Sequence, residues 1–90
     1  MLKISATNKF KKDLKICQKR KYNFDLLYSV VDTLAIPALL EEKNREHNLK
    51  GDYAGHKECH ISPDWLLIYR TTDTELILVR TGTHADLFNM

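Results

Sequence analysis

The hydrophobic and polar positions in the first third of the chain predict one short strand followed by two helices. Apolar and polar residues alternate just after Met1, which indicates the strand. Phe10, Leu14 and Cys17 then recur at helical spacing, with lysines on the other faces, and a second apolar stripe follows Asn23. We expect the strand at residues 2–5 and the helices at residues 8–21 and 24–35.

Three apolar-rich segments in the second half of the chain predict strands, at residues 56–61, 65–71 and 75–81. The connections between them are short and turn-forming, so the three strands should form an antiparallel meander. The polar segment 41–48 that precedes them is predicted to be a loop. The element order is therefore β-α-α-β-β-β, an α+β fold with two helices on one face of a mostly antiparallel sheet, in a single domain over residues 1–90.

The composition is that of an ordinary globular domain, with 43% hydrophobic and 29% charged residues. No segment approaches the roughly 18 consecutive apolar residues that a membrane span requires. Two cysteines, Cys17 and Cys59, are too few for a disulfide framework and lack the CxxC spacing. We therefore expect a cytoplasmic protein with reduced thiols and no membrane partner.

The charge is unevenly distributed along the chain. Residues 1–21 hold eight Lys/Arg and one acid, a net charge of +7, whereas the remainder carries −5. Such a segment can be a solvated helix face, but it can also attract the phosphates of a nucleic acid or an acidic protein. The candidate phosphate-binding side chains on the first helix are Lys11, Lys12, Lys15 and Lys19.

Antiparallel pairing brings a set of polar residues to one end of the predicted sheet. If residues 72–74 close a hairpin, the turn at residues 62–64 lies beside the segment that follows the last strand. The side chains expected at this end are those of His60, Asp64, Trp65, Arg80 and His84.

This combination of side chains suits phosphodiester chemistry on RNA. Imidazole exchanges protons near neutral pH, guanidinium holds a phosphate, and an indole face can stack on a base. If the ribose 2′-hydroxyl is the nucleophile, general acid–base catalysis needs no metal. Each of these residues alone has a structural explanation, because histidines at strand ends and an aspartate in a turn are common.

A metal site and a cysteine nucleophile are weaker interpretations. His56 and His60 would point to one face of their strand and Cys59 to the other, so these residues cannot all join His84 around one ion. No local signature supports catalysis by Cys17 or Cys59, and no glycine-rich phosphate loop is present. We expect neither a metal nor another cofactor.

Three motifs closely resemble those of the YafQ-type toxins of the RelE superfamily. They are the sequences HNLKG at 47–51, CHISPDWLLIY at 59–69 and RTGTHADLF at 80–88. Their order and spacing match the family, as does the lysine-rich first helix, so the resemblance covers nearly the whole chain.

The resemblance implies the microbial ribonuclease-like fold and the activity of a ribosome-dependent endoribonuclease that cuts translated mRNA in the A site. It also implies neutralisation by a DinJ-like ribbon-helix-helix antitoxin, with operator DNA bound only by the toxin–antitoxin complex. The family's functional positions correspond to His47, His60, Asp64, Trp65, Arg80, His84 and Phe88.

The resemblance suggests roles for these side chains. His84 would be the general acid, and His47 or Asp64, together with His60, would activate the 2′-hydroxyl. Arg80 would hold the scissile phosphate, while Trp65 and Phe88 would support base stacking or the shape of the site.

Three other functions remain open at this stage. The protein could be an RNA- or ribosome-binding module without catalysis, a gyrase-directed toxin of the ParE kind, or a plain interaction domain that docks through its basic helix. ParE-like relatives lack this set of histidines, which argues against the second of these.

Overall fold

The computed structural model describes residues 1–36 and 44–88, which form a five-stranded sheet with three α-helices. The strands lie in the order β1-β5-β4-β3-β2, and β1 runs parallel to β5 while the other pairs are antiparallel. The elements are β1 (Lys3–Ala6), α1 (Asn8–Lys19), α2 (Phe24–Ala35), β2 (His47–Asn48), a 3-10 turn (Gly51–Tyr53), β3 (Lys57–Ser62), β4 (Trp65–Thr71), β5 (Glu75–Gly82) and α3 (His84–Phe88). The α+β prediction, with two helices packed on a mostly antiparallel sheet, is confirmed.

Two elements were not predicted. Residues 47–48 were expected to belong to a loop but form β2, which pairs with the edge of β3; residues 41–43 of that predicted loop lie outside the described part of the chain. The prediction was wrong at β2 because a two-residue polar strand shows no alternation of its own and exists only through its pairing. Helix α3 has five residues, too few for a helical period to stand out.

Local capping explains where the two long helices begin. The Thr7 hydroxyl accepts a hydrogen bond from the N–H of Phe10 and donates one to the carbonyl of Val79, which ties the start of α1 to β5. The Asn23 side chain accepts a hydrogen bond from the N–H of Asp25 and caps α2. Both helices are thus set in place by a polar residue just before their first turn.

The side chains of the sheet separate into two apolar clusters on opposite faces. The larger one lies on the side covered by α1 and α2, which we call the helix face. A smaller cluster of Leu66, Ile68 and Leu87 lies on the opposite side, which we call the groove face. Residues of the larger cluster include Phe10, Cys17, Leu27, Val31, Cys59, Ile61, Trp65, Leu67 and Tyr69.

The register between β4 and β5 changes along the hairpin. Thr71 pairs with Leu76 near the turn, whereas an irregularity between Ile68 and Tyr69 shifts the pairing by one residue, so that Leu67 pairs with Thr81. A second irregularity lies in β3 between His60 and Ser62. The turn at residues 62–64 still lies at the same end of the sheet as the segment after β5, as predicted.

Across residues 1–36 and 44–88, no helix combines the length and apolar character needed to cross a bilayer.

Candidate active site

Strand β3 places a carboxylate and an imidazole on the groove face. Glu58 and His60 are two residues apart, so strand geometry directs both side chains to the same side of the sheet. Glu58 is only 3% exposed, and its Oε1 lies 3.8 Å from His60 Nε2. A buried carboxylate needs polar partners to offset its loss of hydration, and the histidines beside Glu58 supply them.

His47 approaches the same carboxylate from β2. His47 is the register partner of Glu58, and its Nε2 lies 3.4 Å from Glu58 Oε1. Its Nδ1 lies 2.9 Å from the carbonyl oxygen of Arg45, so Nδ1 is the hydrogen-bond donor. The preceding residue, Glu46, accepts a hydrogen bond from the Tyr69 hydroxyl, which tethers this segment to the sheet.

His84 is held at the start of α3 by Asp64 from the β3–β4 turn. Its Nδ1 lies 3.0 Å from Asp64 Oδ1, and the same oxygen accepts the His84 backbone N–H at 3.3 Å. Hydrogen bonds from the side chain and backbone of His84 lower the pKa of Asp64, which is therefore an acceptor. Because Nδ1 is engaged, Nε2 is the His84 ring nitrogen left for a substrate.

The two groups meet in one open groove of about 610 Å³. The rings of His60 and His84 stand edge to face with their centroids 5.8 Å apart, which joins the Glu58 group to the Asp64 pair. The lining residues are Arg45, His47, Leu49, Glu58, His60, Pro63, His84 and Phe88. The structure thus brings together five of the predicted site residues: His47, His60, Asp64 and His84, with Phe88 at the wall.

Phe88 is partly buried at the end of α3 and packs on the small apolar cluster of the groove face. Its ring meets that of Tyr53 in an edge-to-face contact with centroids 6.2 Å apart. This anchors one side of the ring, while the residue also borders the groove. An aromatic side chain in this position can offer a surface to a nucleobase.

Arg80, which was expected to hold the phosphate at this site, is directed toward α1 and is not among the residues that line the groove. Its Nε and Nη2 donate to the two carboxylate oxygens of Asp13 at 2.7 and 3.1 Å, and its side chain is 17% exposed. The Asp13 hydrogen bonds raise the pKa of Arg80, with a smaller contribution from Tyr53. Asp13 Oδ2 also accepts the N–H of Thr81, so this carboxylate fixes both the guanidinium and the backbone of β5.

Trp65 lies on the helix face, away from the groove. Its ring is 3% exposed and packs against Tyr22 and Phe24, and its Nε1 donates to the Thr81 hydroxyl at 2.8 Å. The expectation of an available indole face is therefore corrected: strand alternation turns Trp65 away from His60 and into the core. A base could stack on this ring only if the ring left that core.

The remaining candidates lie outside the groove. Lys11, Lys12, Lys15 and Lys19 are exposed on α1. His56 contacts Tyr53 beyond the groove lining. Cys59 is fully buried on the helix face, and burial raises its pKa to about 12, which is the opposite of what a thiolate nucleophile needs.

Three side chains of the groove could hold a metal ion. Glu58, His60 and His84 each offer one ligand atom, and these atoms lie within 4.8 Å of one another. One carboxylate and two imidazoles form a donor set that suits zinc, copper or nickel. This is not the set of ligands considered from the sequence, which included Cys59 and His56 and did not include Glu58.

Glu58, Asp13 and Arg45 are the polar residues of this region that the sequence analysis did not single out. For Glu58, the available signal was an acid two residues before His60 in a strand whose intervening residue is apolar. For Asp13, it was a single acid in a strongly basic helix, on the same stripe as Phe10 and Cys17. Arg45 carries no such signal.

Comparison with known proteins agrees with these features. A family of bacterial toxins of type II toxin-antitoxin systems, YafQ, matches residues 2–89. The mRNA interferase toxin YafQ of Escherichia coli K12 is 40% identical over 92 residues, which covers 94% of each chain.

Solved structures show the same fold. A metal-bound toxin from Helicobacter pylori has a TM-score of 0.91 and 44% identity, covering 98% of this chain and 100% of its own. The Escherichia coli DinJ-YafQ toxin-antitoxin complex contains a chain with a TM-score of 0.89 and 36% identity, with 97% of both chains covered. The chain therefore belongs to the YafQ family of toxins of type II toxin-antitoxin systems.

Proposed function

We propose that this protein is an endoribonuclease of the cytoplasm that cuts translated mRNA in the ribosomal A site by metal-independent attack of the ribose 2′-hydroxyl. The observation that carries the proposal is the convergence of His47, His60 and His84 with Glu58 and Asp64 around one open groove. General acid–base catalysis of this kind contributes about 10²- to 10⁴-fold to a rate.

His84 is the general acid in this mechanism. Asp64 accepts from Nδ1 and stabilises the imidazolium, which leaves Nε2 free to protonate the departing 5′-oxygen. Its place in the first turn of a short helix fixes the direction of the ring.

His60 and His47 activate the nucleophile. The proton of the 2′-hydroxyl passes to a ring nitrogen of one of these imidazoles, whose Nε2 atoms lie 3.4 Å (His47) and 3.8 Å (His60) from Glu58 Oε1. Asp64 is less suited to be the base, because hydrogen bonds from His84 occupy its Oδ1 and lower its pKa.

The phosphate and the base are held by the surrounding side chains. Arg45 at the groove wall is the cationic group that borders the scissile phosphate, and Arg80, held by Asp13 outside the groove lining, adds positive charge from behind it. Phe88 offers the aromatic surface on which a base stacks.

Induced expression of wild type, His84→Ala and His56→Ala in a bacterial host, followed by primer extension on a translated message, tests the proposal. We expect growth arrest and in-frame cuts with wild type and with His56→Ala, the control histidine outside the groove. His84→Ala should lose at least about 100-fold in cleavage. Cleavage at the wild-type rate by His84→Ala would refute the assignment of the acid, and arrest without cuts would point to another target such as gyrase.

The exposed lysines of α1 serve to dock the protein on ribosomal RNA. We expect that replacing Lys11, Lys12, Lys15 and Lys19 with glutamine weakens ribosome binding and flattens its salt dependence, because each phosphate contact releases counterions. Binding measured from 50 to 200 mM salt checks this expectation. An unchanged salt slope would mean that these lysines only solvate the helix.

An antitoxin partner is part of the proposal. The DinJ-YafQ complex of Escherichia coli shows such a partner for a chain 36% identical to this one. We infer a DinJ-like ribbon-helix-helix antitoxin here, with operator DNA bound by the complex and not by the toxin alone.

A relative from Helicobacter pylori is known in a metal-bound form, and Glu58, His60 and His84 are the residues that would hold an ion in this chain. Such an ion would act as a Lewis acid, whereas in the mechanism proposed above His60 and His84 transfer protons and Glu58 lies beside His60. We therefore expect cleavage to persist in EDTA and to fall when zinc or copper is added. Loss of cleavage in EDTA, restored by one metal, would overturn metal independence.

A further inference from the structure

We propose that Arg20 is a positioning residue that sets the geometry of His84 through Asp86; the proposal rests on the acid role given to His84 above. Arg20 follows the last residue of α1 and belongs to the basic segment. Its charge alone would group it with the lysines that attract RNA, but its contacts with Asp86 indicate a structural role.

The guanidinium of Arg20 is joined to Asp86 by a two-pronged ion pair. Its Nη1 lies 2.6 Å from Asp86 Oδ2, and its Nη2 lies 3.1 Å from Oδ1. This fork-to-carboxylate geometry is specific to arginine, because a lysine ammonium offers no planar pair of donors. The pair links the end of α1 to α3, 66 residues away in sequence.

Asp86 in turn builds the start of α3. Its Oδ2 accepts the N–H of Thr83 at 2.9 Å, and its own N–H donates to the Thr83 hydroxyl at 3.1 Å. This reciprocal arrangement is a capping box around the first turn of the helix. A helix of five residues has little stability of its own, so the cap and its partners determine where the helix lies.

The backbone before the cap fits closely around the same carboxylate. Gly82 has φ of +155°, and a Cβ at this position would lie 2.9 Å from Asp86 Oδ2. A glycine is therefore required for the carboxylate to reach both Thr83 and Arg20. The turn from β5 into α3 is shaped around Asp86.

His84 is the residue directly after Thr83 and begins α3. Asp64 holds its ring and its backbone N–H from the groove side, while Arg20 and Asp86 hold the preceding residue, Thr83, from the α1 side. Releasing Asp86 would let this turn shift, and a misplacement of about 1 Å can cost about 100-fold in rate. Arg20 thereby affects kcat without touching the RNA.

The test compares Arg20→Lys, which keeps the charge, with Lys21→Gln, which removes a neighbouring exposed charge and leaves the ion pair intact. We expect Arg20→Lys to lower kcat for cleavage of ribosome-bound mRNA by about 10- to 100-fold with little change in KM or its salt dependence. Lys21→Gln should leave kcat near that of wild type. Wild-type kcat in Arg20→Lys, or a rise in KM alone, would overturn the proposal.

A double-mutant cycle with Asp86→Asn keeps the test specific, because the asparagine can still cap α3 but forms no ion pair. We expect the kcat losses of Arg20→Lys and Asp86→Asn to be non-additive, whereas independent effects would multiply and would contradict a shared route.

The ring signals of His84 in a ¹H–¹³C NMR spectrum report the linkage without any activity. They should move in Arg20→Lys and not in Lys21→Gln, and unmoved signals in Arg20→Lys would overturn the proposal. If wild type does not cut mRNA while the signals move as expected, the proposed function fails and the structural linkage stands.

Discussion

The two faces of the sheet differ in their surroundings: the helix face is packed into the core, and the groove face carries the polar residues of the candidate site. On the helix face, Cys59, Trp65 and Tyr69 are almost completely buried among the side chains of α1 and α2. On the groove face, the neighbouring residues Glu58 and His60 meet polar partners around an open groove. Residues adjacent in sequence therefore belong to different environments, and strand alternation, not sequence proximity, decides which of them can reach a substrate.

On the groove face, the burial of Glu58 carries a cost in lost hydration. Glu58 is a buried carboxylate, whereas Cys59 and Ile61 on the other side of the same strand are apolar. Burying a charge is unfavourable unless polar partners offset its lost hydration, and here those partners are the candidate catalytic histidines. Such an arrangement is more readily understood as serving chemistry than stability.

The largest effect that separates the two faces is expected from a pair of aromatic substitutions. Trp65→Ala should lower the free energy of unfolding by about 3–5 kcal/mol, because it empties a large volume in the core. Phe88→Ala, on the groove face, should cost clearly less stability but reduce cleavage. Urea unfolding and the translation-coupled cleavage assay measure the two quantities.

The variant Trp65→Phe tests whether the indole acts only within the core. It retains aromatic contacts with Tyr22 and Phe24 and loses the hydrogen bond to Thr81, so we expect about 1–2 kcal/mol of destabilisation. Cleavage well below the unfolding temperature should remain near that of wild type. A large loss of cleavage in this folded variant would restore a direct role for Trp65 in binding RNA.

A smaller contrast is expected from the adjacent residues Glu58 and Cys59. Glu58→Gln keeps the size but removes the charge between His47 and His60, so we expect cleavage to fall by about tenfold with little loss of stability. Cys59→Ser places a hydroxyl in the apolar core and should cost about 1–3 kcal/mol of stability without changing the cleavage chemistry. The same two assays apply, and the opposite pattern would show that the faces are not separated as described.

The extent to which the sequence predicts this structure follows from where its periodicities are long enough to detect. The helices of twelve residues and the strands of the meander carry clear apolar patterns, and the α+β architecture follows from them. The strand β2 and the helix α3 are too short for that and depend on tertiary pairing and a capping box. The parallel pairing of β1 with β5 was not specified by the sequence argument.

The candidate site was predictable to the extent that hairpin geometry governs it. Pairing along β4 and β5 brings Asp64 and His84 to the same end of the sheet, and the structure joins them by a hydrogen bond. His47 was predicted as a site residue only from the family resemblance, because its position depends on the pairing of β2 with β3. Trp65 lies at the same end of the sheet but faces the core. Knowing which end of a strand a residue occupies does not show which face of the sheet its side chain is on.

The smallest expected effect concerns Asp86, which connects the two faces because it joins α1 to α3. Hydrogen bonds from Arg20 and from Thr83 lower the pKa of Asp86 below that of an unfolded chain, about 3.9. The unfolded state therefore takes up a proton first as the pH falls, so the contribution of Asp86 to stability is present above about pH 4 and is lost at lower pH. Its side chain is 27% exposed, and we expect about 1 kcal/mol after allowing for solvent screening.

The comparison of wild type with Asp86→Asn isolates this contribution, because asparagine does not titrate. At pH 6, urea unfolding should give a higher free energy of unfolding for wild type than for Asp86→Asn. This difference should shrink steadily toward pH 2.5. If the free energies of unfolding of the two proteins stay parallel over this range, the charge of Asp86 does not stabilise the folded protein. The capping box alone would then fix the start of α3. A converging pair of curves, together with a loss of kcat in Arg20→Lys, would instead show that α1 on the helix face determines the position of the acid on the groove face.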